Sequence, residues 1–513
     1  MDSTTSHLVN LTNSTFITTL PFLLLLLLIS FLFLHSRQRS TSNYCPATFP
    51  IIGNLIGFIS NRHRFLDWAT DLLSSSPTHT IQISSPLGLN HGICTANPTV
   101  VDHLLRTNFS NYIKGQRFNS VLSDLLGHGI FVADDALWAF QRKISSHEFT
   151  TRSLKTFISH SVQFEIHNRL LPRLTAAADS GKPLDLQDIL RRFAFDNICR
   201  VAFGTDPAAL RADEQQQEEQ EPFFSAFDEA VEISAKRFFH PVPWIWKAKR
   251  SLNVGSEQRL HRAIRVIDEY AMKIIDGRQE EVDDEKQDLL SRFTVALKDT
   301  EQKEKKKFLR DIVISFILAG KDTTSSALTW FFWLLSINRH CEKKILAELG
   351  GGQLEFDDLK VMHYLHASIS ETLRLYPPVP IDSRLTVKDD VLPDGTEVRA
   401  GWFADYSAYA MGRMERVWGR DCGEFVPERW LNEKGEFVGV ETVKFPAFHA
   451  GPRTCLGREM AYVQMKSVVA SVMREFEVEP VVDGKKGAPE IEFSLTLRMK
   501  GGFPVRIKRR VSG

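Results

Sequence analysis

The sequence predicts a mainly α (α+β) fold: a large helical domain with a small β-rich subdomain, plus an N-terminal transmembrane helix. Three observations predict it. Apolar residues recur at helical spacing through most of the chain. Period-two, β-like runs are confined to Thr80 to Ile83, Gly92 to Thr95, the region of Val387 to Val398 and the C-terminus. Phe16 to Leu34 is almost wholly apolar, with six consecutive leucines from Leu23 to Leu28.

The chain has 513 residues and 43% hydrophobic content, enough for a large core. Lys plus Arg equals Asp plus Glu at 63 each, so the overall charge points to neither a nucleic acid nor an acidic partner. The six cysteines are scattered without a Cys-x-x-Cys pair, which excludes a zinc framework and a disulfide scaffold. Cys45, Cys94, Cys199, Cys341 and Cys422 read as inert thiols in a reducing, cytosol-facing domain.

From the N-terminus, residues 1–15 read as lumenal and 16–34 as a transmembrane signal anchor. At helical rise the apolar run just spans ~30 Å of hydrocarbon. A cleaved signal peptide is the competing reading. Against it, no Lys or Arg precedes the run, and Arg37 and Arg39 follow it, which orients the catalytic side to the cytosol. Asn10 and Asn13 head glycosylation sequons on the lumenal side. Residues 35–53, with Pro46, Pro50 and Gly53, read as a linker and semi-rigid hinge, and 54–513 as the catalytic domain.

Within that domain, Trp138 and Arg142 share one helix face, where an indole N–H and a guanidinium can bind carboxylate oxygens. The polar run Asp213 to Glu221 and the charged stretch Glu301 to Lys307 read as exposed connections. Asp311 to Asn338 reads as one long helix, ~42 Å at helical rise. A second membrane span is its rival, but the polar run from Gly320 to Ser326 interrupts it and favours a buried core helix. Gly320 and the adjacent hydroxyls predict a local opening there, beside an acid–alcohol pair, Asp322 and Thr323, able to relay protons. Glu371 and Arg374 are spaced for an ion pair on a helix that Pro377 and Pro378 end.

Phe448 to Gly457 reads Phe-His-Ala-Gly-Pro-Arg-Thr-Cys-Leu-Gly. Gly451 and Gly457 let backbone turn and approach a flat macrocycle, and Arg453 offers a cationic fork for a propionate. Phe448 can shield the sulfur of Cys455 from water. The filled pattern Phe-x-x-Gly-x-Arg-x-Cys-x-Gly closely resembles the haem-binding signature of the cytochrome P450 superfamily. Trp-x-x-x-Arg, Ala-Gly-x-Asp-Thr-Thr, Glu-x-x-Arg and Pro-Glu-Arg are similar to that superfamily's other elements and stand in its order.

The resemblance implies the cytochrome P450 fold and haem b with Cys455 as axial thiolate. It places Trp138, Arg142, Arg453 and Arg384 at the haem propionates and Glu371, Arg374 and Arg429 in a buried structural triad. It makes Thr323 and Asp322 the oxygen-activation pair. Electrons would come from NADPH through cytochrome P450 reductase, with cytochrome b5 as a further donor, on the cytosolic side of the endoplasmic reticulum membrane.

The segments Gly-Ile-Phe-Val-Ala-Asp, Leu-Thr-Trp-Phe-Phe-Trp-Leu-Leu-Ser and Met-Ala-Tyr-Val-Gln-Met-Lys resemble the plant fatty-acid ω-hydroxylase clan and, within it, family 94. That implies hydroxylation of the terminal carbon of a lipid chain, a fatty acid first, with a sterol side chain or a jasmonate–amino-acid conjugate as alternatives. A reductase-independent isomerase or dehydratase is the alternative from another class, and a haem sensor without turnover a third; the intact Asp322 and Thr323 stand against both. Two departures are visible: Lys321 replaces a usual arginine, read as an exposed charge, and Phe403-Ala404-Asp405-Tyr406-Ser407 replaces a Val-Thr-Tyr-His-Pro type stretch. The pocket is expected to draw on Phe118 to Leu126, Phe223 to Phe239, Phe316 to Thr323, Val379 to Ile381 and Ser494 to Leu497.

Overall fold

The computed structural model describes residues 44–510 except 47, 50, 51, 87–90, 212, 213, 241, 281–287, 351–355, 482–487 and 493. The expected lumenal segment and anchor, 1–34, lie outside the described residues, as does Pro50 of the hinge. Among the described residues no helix is long and apolar enough to cross a membrane.

The helices that position the site are α1 (Gly115–Leu126), α2 (Asp135–Ser146), α3 (Leu186–Phe203), α4 (Glu214–Phe238), α5 (Ser256–Glu280), α6 (Gln302–Ile317), α7 (Thr323–Ile337), α8 (His363–Leu375) and α9 (Arg458–Glu475). The segment α6 to α7 is the axle of the molecule. Trp330, Phe331, Leu328 and Ile317 are buried on it, and α3, α8 and α9 pack around α7. A helix apolar on all sides must be enclosed by protein or lipid, and here it is enclosed by protein. That settles the rival reading of a second span.

Two expectations are corrected. Residues Gln302 to Lys307 are not a connection but the first turns of α6, with an exposed N-terminus running into a buried helix. The Gln/Glu-rich run is likewise helical from Glu214 onward, as the start of α4. In α6 polar composition marks a solvated helix face as readily as a loop.

The β-rich part is a five-stranded sheet of β1 (Thr80–Ser84), β2 (His91–Thr95), β3 (Tyr112–Ile113), β4 (Asp382–Thr386) and β5 (Phe403–Tyr406), in the order β1-β2-β5-β4-β3. Only the β2–β5 pair is parallel. The C-terminal strand Pro504–Arg509 lies between Leu184–Asp185 and Phe476–Pro480 in a second sheet, and short pairs form at Asp390–Val391 with Glu397–Val398 and at Ile491–Glu492 with Arg498–Met499.

The register of β4 on β5 fixes which charged side chains can meet. Asp382 pairs with Tyr406, Ser383 with Asp405 and Arg384 with Ala404. Side chains alternate across a strand, so Asp382 and Arg384 share one face while Ser383 and Asp405 share the other.

Candidate active site

The cysteine loop is held by its own backbone. The Cys455 amide donates to the Phe448 carbonyl at 2.9 Å, and Thr454 returns its amide and hydroxyl to the Gly451 carbonyl. From α2, Arg142 donates to the Thr454 carbonyl at 2.7 Å, tying that helix to the loop. Gly451 has φ +66°, and a Cβ there would lie 1.9 Å from the Leu105 carbonyl oxygen, so only glycine fits. Gly457 differs. Its φ is −85°, and a Cβ would find its nearest protein neighbour, Phe149, at 3.4 Å. Nothing in the protein itself demands glycine there.

Cys455 opens onto an interior cavity of about 440 Å³ that runs from the loop past α7 to α1 and the end of α4. Its accessible surface is cavity wall. Burial pushes its thiol pKa up, while the Gly457 amide and the Arg142 and Arg458 guanidiniums favour the thiolate. Phe448 lines the same cavity and packs on Tyr462, ring centroids 5.3 Å apart.

One wall of the cavity is cationic. Arg384 from β4 is 1% exposed and contacts His449, yet its Nε and Nη1 have no hydrogen-bond partner. Arg453 bonds the Ala133 carbonyl and Asp134 at 2.8 Å and lies over the Trp138 ring, but its Nε is also unpaired. Burial and the Arg384 charge lower Arg453 to about 10. Lys114, bonded to Asp382 at 2.5 Å, is lowered to about 7, first by burial and then by Arg384. Burial works against the Asp382 carboxylate, but Lys114 and Arg384 outweigh it and hold the group well below the usual range.

Buried guanidinium donors left without acceptors are costly, and a dianionic group at the cavity wall removes that cost. Together with the thiol facing the same space, this donor set fits a haem with two propionates. Trp138 and Arg142 line the same cavity: the indole lies under the Arg453 guanidinium, and Arg142 donates to the loop backbone. Lys114, Asp382 and His449 belong to this wall without having been expected there. His449 sits inside the cysteine motif, which could have pointed to it, but Tyr-Ile-Lys-Gly around Lys114 carries no signal.

Across the cavity, the expected opening of the long helix is a π-helical segment, Leu318–Asp322, between α6 and α7. The segment runs close against α3: a Cβ on Gly320 would sit 2.6 Å from Ile198. The segment turns Ala319, Gly320 and Thr323 to the cavity, and Thr323 Oγ1 donates to the Ala319 carbonyl at 2.5 Å. Asp322 does not line that space. It is buried against Lys321 at 2.5 Å and Arg498 at 3.3 Å, with Oδ2 unpaired. Burial opposes its ionisation, but Lys321 and Arg498 prevail and lower its pKa.

Lys321 is therefore no exposed charge. It is 0% exposed, bridges Asp322 and Asp228 of α4, and lies over the Phe227 ring. Asp322 therefore sits in a buried ion cluster with Lys321, Asp228 and Arg498.

Behind the cysteine loop, Arg374 binds Glu371 through two 2.7 Å bonds, both side chains fully buried on α8. Arg374 also donates to the carbonyls of Gly412, Cys422 and Glu424, pinning a long connection. Arg429 is nearby but looser, 3.4 Å from Glu371, and leans on Asp421 and the Trp418 carbonyl. The closer third partner of Glu371 is Trp430, whose indole N–H donates at 2.9 Å. It adjoins the Pro-Glu-Arg motif in sequence, one residue beyond the expected triad.

Of the expected pocket segments, Phe118, Leu122, Phe238, Phe239, Val379 and Ile381 line the cavity. Phe223, Phe224 and Phe227 instead fill the core between α4, α3 and α5, and Leu497 is also core.

A thiol loop, a cationic cradle and a π-opened helix facing one cavity define a haem-thiolate oxygenase. The family model described as Cytochrome P450 matches residues 45–503, and the chain belongs to that family. Within it the chain is a family 94 member. It is 46% identical over 478 residues, 91% of each chain, to Cytochrome P450 94A1 of Vicia sativa. It is 46% identical over 491 residues, 93% of each chain, to Cytochrome P450 94B1 of Arabidopsis thaliana. Cytochrome P450 CYP94D108 of Paris polyphylla is 43% identical over 484 residues, 92% of this chain and 94% of its own. The protein is a monooxygenase that uses haem with a thiolate ligand and takes electrons from a reductase.

Proposed function

We propose that this monooxygenase hydroxylates the terminal carbon of a lipid chain. The family resemblance puts a fatty acid first among substrates. The observation that carries the reading is the cavity itself: between α1, the end of α4 and α7 its walls are Phe118, Leu122, Phe238, Phe316, Ile381 and Leu495, which suit an extended apolar chain. Secondary C–H bonds are weaker than those of a terminal methyl, so attack at the end requires walls that hold the chain in line.

Cys455 would hold the haem iron, and Arg384, Arg453 and Lys114 would take its propionates. The bound haem supplies the oxygen chemistry. Arg142 and the Phe448 carbonyl fix the loop that aims the sulfur. Thr323 turns its hydroxyl from the Ala319 carbonyl to hold a water at Oγ1, where a proton is needed. Asp322, ionised beside Lys321 and Arg498, would relay a proton to that site after taking one up from solvent, as Lys321 shifts toward Asp228, since one ammonium serves both carboxylates.

Thr323 on the cavity, with Asp322 next to it in the chain, favours this chemistry over a reductase-independent isomerase. The reading includes an N-terminal anchor at 16–34, a hinge to residue 53, the endoplasmic reticulum membrane with the catalytic domain in the cytosol, and NADPH–cytochrome P450 reductase, assisted by cytochrome b5. A sterol side chain is a second substrate reading, favoured by the carboxylate of Asp405 in the cavity wall.

The test is turnover in microsomes with a plant reductase and NADPH, with products identified by mass spectrometry. A terminal alcohol is the expected product. In-chain hydroxylation, or product formed without NADPH, would overturn the reading.

A further inference from the structure

Away from the cofactor cradle and from Arg142, which serves the cysteine loop, the cavity wall holds one cation among the described residues, Arg117 of α1. It is not free to bind an anion. Its Nη1 donates to the Ser383 hydroxyl at 2.8 Å, and Asp405 Oδ1 is 3.7 Å away. Ser383 in turn donates to Asp405 at 2.6 Å. The β4–β5 register forces this arrangement, because Ser383 and Asp405 are directly paired and share the face opposite to Asp382 and Arg384. The guanidinium is further fixed over Phe403 at 4.4 Å and near Phe238 at 5.7 Å. Burial pushes Asp405 up to about 6 against the pull of Arg117 and Ser383, which leaves it ionised above neutral pH.

The consequence is electrostatic. A free carboxylate reaching Arg117 would meet a neutralised cation with Asp405 beside it, and like charges at that range disfavour binding. A hydroxyl can donate to Asp405 and accept from Arg117 at no such cost. The other unpaired polar atoms on this part of the wall, Ser494 Oγ and Thr496 Oγ1, are neutral as well.

We propose that Asp405, through Arg117 and Ser383, sets the choice of substrate head group, favouring a neutral hydroxyl-bearing lipid over a free carboxylate of the same chain length. The proposal rests on the lipid chain-end reading and selects among its substrates.

The experiment uses haem-loaded full-length enzyme and two ligands matched in chain, laurate and dodecanol. Affinity is read from the haem absorbance change, and kcat and KM are measured with reductase. Wild-type enzyme is expected to bind dodecanol more tightly. Asp405→Asn, which keeps the shape and an acceptor for Ser383, is expected to shift the laurate-to-dodecanol affinity ratio at least ~tenfold toward laurate, ~1.4 kcal/mol. The shift should appear in KM rather than kcat. The double variant Arg117→Gln/Asp405→Asn, with neither charge, should return the ratio toward wild type.

Tighter laurate binding by the wild type, or equal effects of Asp405→Asn on both ligands, would overturn the proposal. Because each comparison is a ratio within one protein sample, partial loss of folded enzyme cancels. Should the single variant not fold, the wild-type order and the double variant still decide. The binding ratio is independent of where oxygen is inserted, so failure of the chain-end reading shows in the products and failure of this proposal in the ratio.

Discussion

Arg384 contributes oppositely to the empty and the loaded protein. In the chain alone its Nε and Nη1 are buried without acceptors, a cost of about 1–3 kcal/mol per unsatisfied group. With propionates bound, the same atoms make charge-assisted bonds. Arg384→Met should therefore raise the melting temperature of haem-free protein while speeding haem loss roughly tenfold or more, as expected for a bond to a charged group of about 1.5–3 kcal/mol. Equal destabilisation of both forms would show that the guanidinium is only structural. For Thr323→Ala, the expected outcome is NADPH oxidation near the wild-type rate with product reduced severalfold, measured as product per NADPH consumed. Unchanged coupling would remove Thr323 from proton handling.

At the scale of elements, the π segment packs closely against α3. A methyl group at position 320 would stand 2.6 Å from both Cβ and Cγ1 of Ile198, and backbone or side chain must shift. Gly320→Ala is expected to cost about 1–3 kcal/mol, in the range of core overpacking. Ile198→Ala in the same protein should recover part of it, visible in a double-mutant cycle by chemical denaturation. An additive cycle would mean the two helices do not meet as described. Between α8 and the loop after it, Glu371→Gln should cost about 3–5 kcal/mol, because it leaves Arg374 buried without its anion. Trp430→Phe removes a single bond to Glu371 and should cost less, about 1–3 kcal/mol.

Over the whole molecule, α9 ties the helical domain together, and Lys466 on it is 4% exposed with its ammonium on the Leu359 carbonyl at 2.6 Å. Burial lowers its pKa from 10.5 to about 8, with Glu348 and Glu459 pulling the other way. The folded state thus releases this proton before the unfolded chain does. Below pH 8 both states are charged and the full burial penalty applies; between 8 and 10.5 the penalty fades as folded Lys466 becomes neutral. Wild-type protein should gain on the order of 3 kcal/mol relative to Lys466→Met across that window. A pH-independent difference between the two melting temperatures would place the proton elsewhere.

The cysteine loop, the Glu371–Arg374 pair and the position of the π opening were legible in the sequence, because each depends on residues close together along the chain. Gly451, Cys455 and Arg453 lie within five positions, and the polar interruption after Gly320 marks the break in an otherwise apolar helix. Folding decided what distance along the chain hides. Lys321 passes for a surface charge until α4 delivers Asp228 and the C-terminal hairpin delivers Arg498. Lys114 and Asp382, or Arg117 and Asp405, are more than 200 residues apart and become partners only through sheet register. By itself, then, the sequence determined the family, the thiolate loop and the chemistry, which short-range geometry encodes. The tertiary structure alone decided which charges are buried and which are paired, since those energies depend on neighbours and dielectric that no local pattern specifies.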